Sequence, residues 1–148
     1  PFPEESFDCR YLTEEPMLAV GRADFFPADC GPKLPLKELA ALPLIIYRRW
    51  ESVLGRMFPH PQPEYLCVND DARTSLMWAA SGVGVAVVPA SIVNGWQSAP
   101  FPMTAKIISS PPLTSTIALV KLKNAGLSAV GQHFFQSFQV PEHGESAG

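Results

Sequence analysis

An α/β fold with a mostly parallel sheet, covered on both faces, is what this sequence predicts, and three observations predict it. Short apolar runs rich in Val, Ile and Leu recur along the chain, at residues 16–21, 44–47, 65–68 and 83–88. These runs are continuous rather than alternating, as expected of strands buried on both faces. Between them lie longer segments whose apolar residues return at helical intervals, which is the alternation of a parallel sheet with crossover helices.

Taken in order, residues 16–21 (PMLAVG) predict a strand, and the polar, Pro- and Gly-rich stretch 22–33 predicts a loop. Pro35 suits a first helical turn, and Leu36, Leu39 and Leu42 repeat at helical spacing, so residues 35–42 predict a short amphipathic helix. Strand 44–47 follows, then a helix over 51–58 with Val53, Leu54, Met57 and Phe58 on one side. After the strand at 65–68, Asp70 or Asp71 is placed to cap a helix that runs through Leu76, Met77 and Ala80 and stops at Gly82. The strand 83–88 ends at Pro89. Beyond it, residues 90–96 predict a short helix and residues 105–108 and 116–122 predict strands. Leu127, Val130, Phe134 and Phe138 form the stripe of a terminal helix before a frayed tail at 142–148. The expectation is roughly five strands alternating with helices, with segments 14–20 and 116–122 adjacent.

Composition narrows the function. A chain of 148 residues with 47% hydrophobic content is large enough for one compact domain. It holds no uninterrupted apolar run long enough to span a bilayer, and no signal segment precedes the first strand, so the expected location is cytoplasmic, with no membrane partner. The net charge is −3, and lysines and arginines form no dense stripe, so specific DNA binding is not expected of these residues. Cys9, Cys30 and Cys67 are odd in number and lack paired spacing, which reads as free thiols. His60, His133 and His143 are scattered, giving no metal-ligand spacing and no catalytic partnership, and Ser52 and Ser91 lack a hydrolase elbow. Gly82-Val83-Gly84 ends a helix and enters a strand, the reverse of a dinucleotide fingerprint. Neither an enzyme nor a cofactor is expected. The start at Pro1 rather than methionine reads as a piece of a longer protein.

Several phrases, in order, resemble the effector-binding domain of LysR-type transcriptional regulators. They are Glu15-Pro16-Met17-Leu18-Ala19-Val20, then the leucine-rich segment leading into Pro43-Leu44-Ile45-Ile46-Tyr47, then Ala79-Ala80-Ser81-Gly82-Val83-Gly84-Val85-Ala86-Val87-Val88-Pro89. The resemblance covers about residues 14–138. It implies a fold like that of type II periplasmic binding proteins, with the first lobe largely missing. Residues 1–15 would then be a remnant of the first lobe and a crossover, 16–115 the second lobe, and 116–148 the return strand, the terminal helix and a tail. It also implies that DNA is bound only through a missing N-terminal helix-turn-helix, that the protein is a homo-oligomer, and that an effector acts by shifting the relation between lobes. Tyr47-Arg48-Arg49-Trp50-Glu51 and Asn69-Asp70-Asp71-Ala72-Arg73-Thr74 resemble a citrate-responsive catabolite-control subgroup.

The candidate effector site is Arg48, Arg49, Trp50, Arg73, Thr74 and Ser75. Arg48 and Arg49 lie just past the carboxyl end of a strand, where ligands bind in open α/β sheets, and a guanidinium offers a planar fork to a carboxylate. Arg73, Thr74 and Ser75 sit at a helix start, where unpaired N–H groups favour an anion. Trp50 would wall the cleft. The plainer alternatives are that the arginines pair with Glu51 or Asp70, that Asp71 simply caps the helix, and that the tryptophan belongs to the core. At the level of function, the rivals are a transporter's solute-binding protein, which an upstream export signal would reveal, and a small enzyme. The apolar faces of 116–122 and of the terminal helix, with Phe134, Phe135 and Phe138, are expected to lie uncovered and to promote self-association.

Overall fold

Ile45 and Ile46 are neighbours in one strand, and both are completely buried. Side chains alternate across a strand, so this requires cover on both faces of the sheet. The computed structural model describes residues 3, 5–58, 63–94 and 102–138 and supplies that cover. Two compact units are present, Glu15–Ser115 and the pair of segments Pro1–Glu14 and Thr116–Gly148.

The larger unit is built from most of the elements. These are β1 (Phe7–Arg22), which enters it from the smaller unit, β2 (Lys33–Pro35), α1 (Leu36–Leu39), β3 (Leu44–Tyr47) and α2 (Arg48–Met57). After them come β4 (Cys67–Asn69), α3 (Ala72–Ala80), β5 (Val85–Pro89), α4 (Ala90–Asn94) and β6 (Met103–Ser109). The strand order is β2-β6-β1-β5-β3-β4. β3 runs parallel to β4 and β5, and β2 runs parallel to β6, whereas β1 lies antiparallel between β5 and β6. The sheet is therefore mixed but mostly parallel.

Alternate residues of the strands feed two cores. Met17, Ala19, Leu44, Ile46, Val85 and Val87 face Leu36 and Leu39 of α1 and Leu54 of α2, with Phe58 just beyond it. Leu18, Val20, Ile45, Ala86 and Val88 face Leu76 and Ala79 of α3, with Ile92 and Val93 of α4 at the edge. α2 and α3 thus lie on opposite faces, and each hides the apolar side of its own helix.

The smaller unit contains the first half of β1, most of β7 (Thr114–Leu122), which pairs with it, and α5 (Ala129–Ser137). Ser128 caps α5 by accepting the amide of Gly131. Ile117, Leu122, Val130 and Phe134 are exposed here, Val130 at 80%. Phe135 departs from the sequence expectation. It is buried, because Arg10 lies over its ring at 4.7 Å and Lys121 at 5.3 Å.

Among the described residues seven strands stand where about five were expected, and the boundaries differ for physical reasons. Pro16 reads as the start of a strand, yet β1 begins at Phe7 and runs straight through it. Proline is tolerated there because the antiparallel ladders to β5 and β6 begin beyond it, at Met17 and Leu18, so neither of these ladders loses a donor. α2 begins at Arg48 rather than Glu51, since arginine and tryptophan enter a helix readily even without an apolar spacing signal. α1 is a single turn, ending before the expected Leu42. The short helix expected over 90–96 is present over Ala90–Asn94; residues 95 and 96 fall outside the described ones, as does the tail at 142–148.

The stop at Gly82 is as expected. Its φ of +80° lets the Gly82 amide donate to Ala79 and the Val83 amide donate to Trp78, two helix-end carbonyls that would otherwise lack partners.

Candidate functional site

Tyr47 and Asn69 are register partners at the carboxyl ends of the parallel strands β3 and β4. One residue further on, the chains part: α2 turns to one face of the sheet and α3 to the other. This edge, in the larger unit alone, gathers Arg48, Arg49, Asp70, Asp71, Arg73 and Thr74.

Arg48 opens α2 and is exposed. Its Nε donates to Oδ1 of Asp70 at 2.5 Å, across the gap between the two strand ends, and the side chains stay 59% and 78% accessible. Asp70 therefore holds the Arg48 guanidinium above its already high ordinary pKa, chiefly through this hydrogen bond. The guanidinium is charged at every relevant pH. Arg49 is exposed beside it in the first turn. α2 has no side-chain cap, Tyr47 being its N-cap, and among the described residues no side chain accepts its first-turn amides.

α3 begins differently. Asp71 is the N-cap, and its Oδ2 accepts both the Thr74 amide at 2.7 Å and the Thr74 hydroxyl at 2.9 Å. These bonds, the backbone one first, hold the Asp71 carboxyl below the usual carboxylate range. An internal carboxylate thus occupies the start of α3, and the Thr74 hydroxyl is directed to it. Arg73, in the same turn, is exposed and adds its charge near Asp71.

Beneath this surface, Ser75 is fully buried. Its hydroxyl exchanges hydrogen bonds with the Asn69 amide group at 2.9 and 3.2 Å, and Asn69 Oδ1 also accepts the Asp71 amide. Ser75 and Asn69 shape the strand-to-helix turn and present nothing outward. Trp50 is half-buried and packs against the larger core cluster. The structure therefore brings Arg48, Arg49, Arg73 and Thr74 to one edge and places Ser75 and Trp50 behind it.

Two polar arrangements were not anticipated from the sequence. Glu15 accepts the Ser91 amide at 2.6 Å and the Ser91 hydroxyl at 3.0 Å, fastening β1 to the start of α4. In the smaller unit, Asp8, Arg10, Lys121 and Phe135 line a cavity of about 540 Å³. There Lys121 bonds to Asp8 and lowers its carboxyl pKa, while Arg10 donates to the Phe138 carbonyl at 2.6 Å. Alternating polar residues in Phe7-Asp8-Cys9-Arg10-Tyr11 were the available signal for that strand.

Among the described residues no group of His, Cys, Asp and Glu is arranged to hold a metal ion. Among them, too, no helix is long and apolar enough to cross a membrane.

Solved structures share this fold at low sequence identity. The reduced form of the OxyR regulatory domain from Pseudomonas aeruginosa superposes with a TM-score of 0.71 at 20% identity, covering 93% of this chain and 66% of that one. The effector binding domain of QuiR in complex with shikimate gives 0.70 at 17% identity, over 92% of this chain and 65% of the other. Full-length CbnR complexed with its target DNA gives 0.72 at 17%, over 93% and 46%. The chain thus spans about half of a full-length regulator and about two thirds of these regulatory domains. No curated protein sequence matches it. The sequence profile of the LysR substrate binding domain matches residues 1–140, nearly the whole chain, and on that match the chain belongs to the LysR substrate-binding domain family.

Proposed function

We propose that this chain is the effector-sensing part of a LysR-type transcription regulator and that its effector is a small carboxylate, with citrate a suitable first probe. The observation that carries the reading is the position of Arg48, Arg49 and Arg73, all exposed, in the first turns that follow the carboxyl ends of two adjacent parallel strands, beside the uncapped start of α2. Each feature favours negative charge, and a guanidinium fork matches a planar carboxylate. The effector binding domain of QuiR, solved in complex with shikimate, and full-length CbnR, solved with its target DNA, support a protein of this kind. In this reading DNA is contacted by another part of the longer regulator. The effector acts by binding one of its states more tightly than another, and no bond is made or broken.

Calorimetric titration of the full-length regulator with citrate and simpler carboxylates tests the site. One charge-assisted contact corresponds to roughly a tenfold change in affinity or more, so Arg48→Ala, Arg49→Ala or Arg73→Ala should weaken binding by about that factor wherever the arginine touches the ligand. Wild-type affinity in all three variants, for every ligand that binds, removes the assignment.

The same reading makes the protein a homo-oligomer. Val130 and Phe134, one helical turn apart on α5, are both exposed, and association would cover them. Sedimentation of this chain should show concentration-dependent association, weakened in Phe134→Ser. A clean monomer at high concentration contradicts it.

A further inference from the structure

We infer that the Arg48–Asp70 pair selects carboxylates that carry a hydroxyl group next to the carboxylate. This rests on the anion-site reading above and names the ligand class of that site. The pair is not a buried structural bridge, because both side chains are more than half exposed and they follow the ends of two adjacent strands, Arg48 as the first residue of α2 and Asp70 in the turn after β4. Nor is the guanidinium saturated. Asp70 takes the Nε hydrogen at Oδ1, and among the described residues the two terminal Nη groups have no hydrogen-bond partner. Those two nitrogens form the end-on fork, the arrangement that grips both oxygens of a carboxylate.

A ligand carboxylate docked on that fork keeps the Arg48–Asp70 bond intact and arrives beside Asp70. Two consequences follow from charge. A bare carboxylate is repelled by Asp70, so part of its attraction to Arg48 is cancelled. A ligand with a hydroxyl on the neighbouring carbon turns that liability into a contact, because the O–H donates to the second oxygen of Asp70 while the carboxylate stays on Arg48. Asp70 is a pure acceptor when ionised and Arg48 a pure donor, so together they read an acceptor and a donor side by side on one small molecule. A site built to receive a hydroxyl discriminates strongly against the analogue that lacks it. Asp71 does not compete for this role, since its Oδ2 already accepts two bonds from Thr74.

The test is a set of paired titrations of the full-length regulator: malate against succinate, and citrate against propane-1,2,3-tricarboxylate, each with wild type, Asp70→Ala and Arg48→Ala. Wild type should prefer the hydroxylated member of at least one pair by roughly fivefold, the size of one net hydrogen bond. Asp70→Ala should bind the member without a hydroxyl more tightly than wild type does, and the preference should fall below about twofold. Arg48→Ala should weaken both members of the pair. If Asp70→Ala keeps the wild-type preference while Arg48→Ala still weakens both, the hydroxyl selection is wrong and the anion site stands. If Arg48→Ala binds both members as wild type does, the site itself is misplaced. A wild-type protein that binds none of the four compounds, or shows no hydroxyl preference, also overturns the inference. Asp70 is highly exposed, so a thermal melt matching wild type confirms that its removal leaves the fold in place.

Discussion

Gly84→Ala should destabilise the chain by about 3 kcal/mol, with a lower midpoint of urea unfolding at unchanged slope. A Cβ at this position would lie 2.4 Å from the carbonyl oxygen of Pro43 and 3.1 Å from Cδ2 of Leu66. The leucine tip can turn aside. The carbonyl cannot, because it accepts the Val85 amide at 2.9 Å and so holds the entry of β5 beside that of β3. Relief requires separating two central strands in which Leu44, Ile45, Ile46 and Val85, Ala86, Val87, Val88 are fully buried. Gly126, which has nothing within 4 Å of the same hypothetical atom, is the internal control, and Gly126→Ala should leave the midpoint nearly unchanged.

Ile45→Ala and Ile46→Ala should each cost about 2–5 kcal/mol, because each opens a cavity in a different core. Sequence neighbours rarely behave alike in this way. In a sheet with one wet face, one of the two substitutions would be almost free. Denaturant titration of both single variants therefore measures whether the sheet is covered on both sides. Equal wild-type midpoints for either variant would contradict the layered arrangement.

The two-sided cover was legible because it leaves a local trace. Leu44-Ile45-Ile46 and Val85-Ala86-Val87-Val88 are unbroken apolar runs, and only a strand with no solvent face carries such a run. Helix ends marked by a capping carboxylate or a left-handed glycine, as at Asp71 and Gly82, were legible for the same reason. The first half of β1 was not. Its polar residues alternate with apolar ones, and Pro16 interrupts the pattern at the place where β1 exchanges one set of neighbours for another, a matter of tertiary arrangement. At the candidate site, the strand-end positions of Arg48 and Arg73 followed from element order alone. The Arg48–Asp70 pair and a core position for Trp50 stood among the alternatives; choosing between them, like the inward turn of Ser75 to Asn69, depends on side-chain directions across different elements, which spacing along the chain does not encode.

The turn from β4 into α3 is fastened from within. Asn69 binds Ser75, Asp71 binds Thr74, and the turn amide of Asp71 returns to Asn69. A segment held this way has little conformational freedom left to surrender, so a ligand arriving there would meet a framework that is already set. Association at such an edge should be rapid, since it waits on no loop to assemble. Its heat should come mainly from exchanging water for the ligand around the arginine side chains. Its heat-capacity change should be small, because little apolar surface lies within reach to be covered. Whatever such a ligand transmits would then travel as the movement of whole elements and not as the ordering of this turn.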